Sequence, residues 1–262
     1  MKLNGKTFVI TGAGGGVGRE LVLKVLDRGG RVAAVDINEE ALKATAEAAD
    51  NSDRLSLHKV DITDPDAVND LADEVTAIHG HVDGLINNAG IIQPFIPIND
   101  LDLAKIHQVM DVNFYGTVYM VKAFLPLLLD RPEAHIANIS SMGGFLPVPG
   151  QTAYGASKAA VTMLSDGLFA ELSDTNVGVS VLLPGGMATD IAENSGVEVS
   201  GGAEDSSMAK MMLGAGEAAD LILKAIEKNK RKVYIGKDSK TMHTLYSVAP
   251  KAAIRMIKKA MS

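Results

Sequence analysis

The sequence predicts an α/β fold: a doubly wound parallel sheet of about seven strands with helices on both faces, in one domain over residues 1–262. Three observations carry this. Short β-rich runs alternate with helical segments from end to end. No composition break or long polar linker divides the chain, and a glycine-rich turn joins the first strand to the first helix. Strands separated by helices make βαβ units, and these assemble a parallel sheet covered on both sides.

The elements follow in order. Residues 7–11 form a first strand, and 17–28 continue with helical periodicity after the glycine turn. Residues 31–37 give a second strand, and Asn38 suits the N-cap of the Ala-rich helix after it. Residues 54–60 give a third strand; Asp64 then caps a helix with Pro65 in its first turn. Residues 82–87 are a fourth strand, and 100–130 a long helix with a bend expected at Pro126. A fifth strand (135–141), a helix (152–173), a sixth strand (178–183), a helix (217–229) and a seventh strand (232–235) complete the alternation. The irregular stretch 192–208, rich in Gly, Ser and Glu, follows the sixth strand, and residues 190–213 are expected to form a substrate lid.

Composition narrows the function classes. With 47% apolar and 22% charged residues the chain is an ordinary globular one. A formal charge of −7 argues against a general nucleic-acid binder. There is no cysteine, hence no disulfide, thiol nucleophile or thiolate metal site, and the six histidines are scattered without ligand spacing, so no metal is expected. No apolar signal segment opens the chain, and the longest apolar run, 123–129, falls far short of the ~20 residues that span a bilayer, so a soluble, cytoplasmic protein is expected. The tail, 238–262, is basic: Lys240, Lys251, Arg255, Lys258 and Lys259 flank an apolar stripe of Ile254, Ile257 and Met261. The stripe reads as a helix packed on its own or a neighbouring subunit in preference to a weak membrane-surface helix.

Five short motifs carry chemistry. Tyr154 and Lys158 stand four residues apart, on one face of a helix. An ammonium about 4 Å from a phenol favours the phenolate by roughly 4 kcal/mol at an effective dielectric near 20, enough to draw its pKa towards ~7. The turn Thr11-Gly12-Ala13-Gly14-Gly15-Gly16-Val17-Gly18 opens a helix whose free N–H groups and dipole suit a pyrophosphate. Asp36 ends the second strand, where an acid binds both ribose hydroxyls of an adenosine and repels a 2′-phosphate; its plainer reading is a helix cap. Asp61 and Ile62 are placed to flank the adenine, and Asn87-Asn88-Ala89-Gly90 closes the fourth strand beside the same crevice.

These residues resemble the short-chain dehydrogenase/reductase family along nearly the whole chain. The family's Thr-Gly-x3-Gly-x-Gly is matched at 11–18, its Asn-Asn-Ala-Gly at 87–90 and its Tyr-x3-Lys at 154–158. The resemblance implies a Rossmann-type sheet and a catalytic set of Asn113, Ser141, Tyr154 and Lys158, with Ser141 chosen over Ser140 because it lies thirteen residues before the Tyr. Tyr154 would be the acid or base, Ser141 would hydrogen-bond the substrate oxygen, Lys158 would lower the Tyr pKa and bind the nicotinamide ribose, and Asn113 would hold a water. Cofactor contacts would come from Gly12, Gly14, Gly16, Val17, Gly18, Asp36, Asp61, Ile62, Asn88, Ala89, Gly90, Tyr154 and Lys158, with Pro184, Gly185 and Thr189 at the nicotinamide. Gly15 stands where many NADPH-preferring members carry a basic residue, so NAD is expected over NADP.

The implied reaction is hydride transfer between nicotinamide C4 and a secondary alcohol or ketone, with Met142, Phe145, Met187, Met208, Met211 and Met212 as candidate pocket residues. Core filling is an equal reading for the last two. An NADPH-dependent oxoacyl reductase, and an idle nucleotide sensor or scaffold on the same fold, are the competing readings. A homo-oligomer, tetramer ahead of dimer, is expected from apolar residues on more than one face of the helices at 100–130 and 152–173: Phe114, Tyr119, Phe124, Met163, Leu168 and Phe169.

Overall fold

In the computed structural model, which describes residues 1–188, 191–197 and 212–260, the strands β1 (Thr7–Thr11), β2 (Arg31–Asp36), β3 (Leu55–Lys59), β4 (Gly84–Asn87), β5 (Ala134–Ile139), β6 (Val177–Pro184) and β9 (Lys232–Ile235) form one sheet. Their order is β3-β2-β1-β4-β5-β6-β9 and every pairing is parallel. Side chains alternate across the sheet, as a period of two requires. Phe8, Ile10, Val32 and Ala34 join one apolar cluster with helices α1 (Gly16–Asp27), α2 (Glu39–Ala48) and α8 (Ala215–Glu227). Val9, Ala33 and Val35 join the other, with α3 (Pro65–His79), α5 (Gly116–Leu129) and α6 (Thr152–Glu171). The winding reverses between β1 and β4. That is where an open α/β sheet leaves a crevice beyond its carboxyl ends.

Local chemistry sets the helix starts as expected at two places. Asn38 accepts the Ala41 N–H at the start of α2, and Asp64 accepts from Asp66 and Ala67 with Pro65 in the first turn of α3. The long helix differs from expectation. It comprises α4 (Leu103–Met110), a π-helical turn at Asp111–Tyr115, and α5, so the irregularity lies at 111–115 while Pro126 sits inside α5. Together Leu103–Leu129 is 27 residues, long and apolar enough to cross a membrane by length and composition, a feature that the short run at 123–129 concealed. Its Met120, Val121, Phe124 and Leu128 are nevertheless buried in the second cluster, as a layer of the fold.

Two features lay outside the sequence reading. A small parallel ladder pairs β7 (Met187–Ala188) with β8 (Leu213–Gly214), bracketing the predicted lid. The short helix α7 (Ile191–Asn194) follows β7, and most of the lid, with Met208 and Met211, lies outside the described residues. The tail makes two helices, α9 (Lys237–Val248) and α10 (Pro250–Ala260). Ala253 is buried and Ile257 half-buried, while Ile254 and Met256 stay exposed; Met261 is outside the described residues.

Candidate active site

The glycine turn leaves β1 and enters α1 under the end of β4. Gly12 has φ +67°, a left-handed conformation, and a Cβ there would meet Ala89 Cα and Asn88 Nδ2 at 2.9 Å. At Gly18 a Cβ would collide with the Gly12 carbonyl, so only glycine lets helix and turn close up. Thr11 Oγ1 accepts the N–H groups of Asn88 and Ala89, both at 3.0 Å, and Asn88 Nδ2 donates to Thr11 O at 3.0 Å. These bonds tie the two halves of the crevice together. Gly16 has φ +51°, Val17 is buried in the first apolar cluster, and a Cβ on Gly15 would meet no atom within 4 Å. The turn is therefore open towards the crevice and tight everywhere else.

Asp36 stands beside this turn and is not a helix cap. Its Oδ2 accepts the Gly14 N–H and its Oδ1 the Asn38 N–H, each at 2.9 Å. Asp61 spends its carboxylate locally on Thr63 N–H at 2.9 Å and Thr63 Oγ1–H at 2.8 Å, while Ile62 packs under Gly116.

The second half of the crevice holds the predicted chemistry. Tyr154 and Lys158 lie one turn apart on α6, and the Lys158 side chain is buried with Nζ donating to Ile139 O at 3.1 Å. Adjacent residues at the end of β5 diverge. Ser140 Oγ donates to Lys158 O at 2.8 Å and meets Thr162 Oγ1, whereas Ser141 Oγ accepts the Gly143 N–H at 3.0 Å on the side that faces Tyr154: a Cβ on Gly143 would lie 3.5 Å from Ser141 Oγ and 3.4 Å from the Tyr154 ring. Gly90 faces the inner end of the site: a Cβ there would lie 3.0 Å from Lys158 Nζ and 3.1 Å from Asn113 Oδ1. Asn113 belongs to the π-helical turn, a distortion frequent at functional sites.

The electrostatics depart from the sequence argument. Desolvation raises the Tyr154 pKa above that of an ordinary phenol, opposed by the Ser141 hydrogen bond. Desolvation lowers the Lys158 pKa to about 8. The expected depression of Tyr154 by the ammonium is absent, because the Lys158 head is bonded to Ile139 O and burial outweighs any attraction to the phenolate.

Pro184 ends β6, and Gly185 N–H donates to Ile235 O at 2.9 Å. Thr189 lies outside the described residues. Of the pocket candidates, Phe145 packs edge-on against Tyr234 and His243, Met187 packs on the first apolar cluster, and Met212 lies exposed beside Gly186. Sequence reasoning missed Asp238. In the first turn of α9, its Oδ2 accepts the Gly186 N–H at 2.7 Å, with its carboxylate against Gly185. Gly236, at φ +93°, was the available signal for a tight turn placing that carboxylate.

Residues 6–199 match the family model described as short chain dehydrogenase. A 1-deoxy-11-beta-hydroxypentalenate dehydrogenase of Streptomyces avermitilis is 34% identical, over 92% of this chain and 88% of that protein. A short chain dehydrogenase/reductase from Burkholderia phymatum, crystallised in complex with NAD, superposes with a TM-score of 0.83 at 27% identity, covering 95% of this chain and 96% of that one. A short chain dehydrogenase from Burkholderia cenocepacia J2315, in complex with NADP, gives 0.82 at 27% identity, covering 98% and 99%.

Proposed function

The chain belongs to the short-chain dehydrogenase/reductase family and is an NAD(P)-dependent oxidoreductase, and on that footing we propose that it interconverts a secondary alcohol and a ketone with NAD as its preferred cofactor. The observation that carries this reading is the convergence of Ser141 Oγ and the Tyr154 ring on Gly143, one helical turn from the buried side chain of Lys158. The nicotinamide supplies or accepts the hydride. The glycine turn with Gly12, Gly14, Gly16 and Gly18 would take the pyrophosphate, Asp36 the adenosine ribose, and Asn88, Ala89, Gly90, Pro184 and Gly185 the nicotinamide half.

The remaining chemistry is the chain's own. In reduction, charge grows on the substrate oxygen, and the Tyr154 and Ser141 hydroxyls are preorganised donors that meet it as it develops. Tyr154 then gives up its proton to that oxygen. In oxidation the phenolate takes the proton back. Because the Tyr154 pKa is raised, the phenol is protonated at neutral pH: it is ready for reduction, while the rate of oxidation climbs with pH through the alkaline range. Lys158 holds positive charge one helical turn from the Tyr154 phenol below a pH of about 8. The exposed Met212 gives the entrance an apolar wall, which favours a largely apolar substrate. We place the protein in the cytoplasm as a homo-oligomer with a small-molecule substrate and no nucleic-acid partner.

A turnover screen over secondary alcohols and ketones with both cofactors, run beside Tyr154→Phe, tests the reading. The variant keeps its affinity for NADH and loses at least the ~100-fold typical of general acid–base catalysis. Retention of more than a tenth of wild-type turnover removes Tyr154 from this role.

A further inference from the structure

Helix α6 is capped by a residue from another part of the fold. Gln151, at its N-cap position, makes no side-chain cap bond. Gln93 fills the place from a loop 60 residues earlier, its Oε1 accepting the N–H groups of Ala153 at 2.8 Å and of Tyr154 at 3.1 Å. Its Nε2 donates to Gly150 O at 2.8 Å. Gln151 closes the bracket, its Nε2 donating to Gln93 O at 2.7 Å. The Gln93 side chain is fully buried, so solvent cannot substitute for it. Gly150 allows the approach: at φ +77° it packs on the main chain of Phe95 and Ile96.

We propose that Gln93 is a positioning residue for Tyr154, fixing the first turn of α6 so that the phenol stays beside Ser141. The inference rests on Tyr154 being the acid/base, as argued above. The first N–H groups of a helix have no partner within it, and a first turn without a cap frays. Tyr154 is the third residue of α6 and lies in that turn, whereas Lys158 sits one turn further in, held by Ile139 O. Removing the cap therefore displaces the phenol before the ammonium. The choice of an amide has its own logic. A carboxylate would also accept from the helix N–H groups, but it could not donate to Gly150 O, and its negative charge beside Tyr154 would raise the phenol pKa further. Gln93 also lies three residues beyond Gly90, which borders Lys158 Nζ and Asn113 Oδ1, so a single loop braces both turns that carry the chemistry.

The test uses the full chain as Gln93→Met, which keeps volume and loses the acceptor, and Gln93→Glu, which keeps the acceptor and adds charge. Hydrogen exchange over residues 150–156, ultraviolet titration of the phenol against Tyr154→Phe, NADH fluorescence and steady-state turnover are read for each. Gln93→Met should exchange the Ala153 and Tyr154 amides at least about tenfold faster and lose about 10- to 100-fold in kcat, the scale of a misplacement near 1 Å, while NADH affinity and KM stay within about threefold. Its phenol should titrate closer to the ordinary range. Gln93→Glu should keep amide protection and titrate its phenol higher. In a Tyr154→Phe background Gln93→Met should cost nothing further in kcat. Wild-type amide protection or wild-type kcat in Gln93→Met, or an additive double variant, overturns the proposal. Should Gln93→Met fail to fold, Gln93→Glu decides, and lost amide protection there overturns it as well. A full loss of turnover in Tyr154→Phe with none in Gln93→Met refutes only this inference; retained turnover in Tyr154→Phe refutes the reading beneath it.

Discussion

Asn113 clasps both polar groups of Ile91: its Oδ1 accepts the Ile91 N–H at 2.8 Å and its Nδ2 donates to the Ile91 carbonyl at 3.0 Å. The same Nδ2 donates to Ser157 Oγ at 2.9 Å, so both hydrogens of the amide nitrogen are used within the protein. Its main-chain carbonyl accepts from Thr117 Oγ1 at 2.9 Å inside the π-helical turn. The side chain anchors the loop that leads from Gly90 to the cap of α6.

Asn113→Ala leaves the Ile91 N–H and carbonyl without partners. At about 1–3 kcal/mol for each unsatisfied group, the melting temperature should fall by about 5 °C or more. Turnover should fall with it, since Gly90 loses its neighbour. A melting temperature unchanged from wild type would show that the clasp contributes nothing.

The prediction on cofactor choice starts from Asp36. Its carboxylate lies on the glycine turn, and neither Gly15 nor the exposed Ile37 supplies a cation to offset it. NAD(H) should bind at least about tenfold more tightly than NADP(H), roughly 1.4 kcal/mol. Asp36→Ala should narrow that gap to about threefold, and it should weaken NAD itself because the Gly14 and Asn38 N–H groups lose their acceptor. Fluorescence titration of both reduced cofactors decides it, and tighter binding of NADPH by the wild type sinks the argument.

Much of this was legible in the chain because local rules and global fold agree. Asn38 and Asp64 announce their helices, and the β-rich runs alternate with helical ones without exception. Helical spacing puts Tyr154 and Lys158 on one face, and the family resemblance picks Ser141 over Ser140 by its thirteen-residue distance from Tyr154. What stayed hidden depends on contacts far apart in sequence. Gln93 and Asp238 look like ordinary polar residues until the fold brings them to Tyr154 and Gly186. The π-helical turn at Asp111–Tyr115 has no proline or glycine to mark it, whereas Pro126, which does look like a break, is absorbed in α5. The pKa argument failed for a related reason. Spacing gives the distance between charges, but burial, which decides the sign here, belongs to the tertiary structure.

Lys158 should be a source of instability at neutral pH. Desolvation lowers its pKa from 10.5 to about 8, so the folded state binds its proton less well than the unfolded chain. Below pH ~8 the ammonium is buried charged, at a cost of up to about 3 kcal/mol by the shift. Between a pH of about 8 and 10.5 the unfolded state holds more protons, and this group's contribution to stability improves as pH rises. Lys158→Met removes the charge and keeps the stem. It should melt about 2–8 °C above wild type at pH 7, with the gain shrinking towards pH 10, while turnover and NADH affinity fall. A variant less stable than wild type at pH 7 would show that the bond to Ile139 O outweighs the desolvation.

The outer face of α5 and α6 should pack against a second copy. Of the apolar residues that suggested an interface, Phe124 and Leu168 turn inward and belong to the core. Others face out. Met163 is 71% exposed, and it lines with Phe114, Ala160, Leu164, Gly167 and Leu168 a shallow, mostly apolar cleft of about 410 Å³ that Glu171 borders. Tyr115 and Leu129 add exposed apolar surface along the same helix layer. At Gly167 an added Cβ would meet no atom within 4 Å, so the cleft floor is open to a side chain from a neighbour. A helix pair with apolar residues on its inner and outer faces can bury both only by self-association, and a two-fold axis presents each patch to its own copy. Light scattering at micromolar concentration should give a dimer or, as proposed, a tetramer. Met163→Glu places a charge in the cleft and should lower the mass while leaving the circular dichroism spectrum of the fold unchanged, because the side chain touches solvent in the single chain. A monomeric wild type, or an unchanged mass for Met163→Glu, removes this face from the assembly.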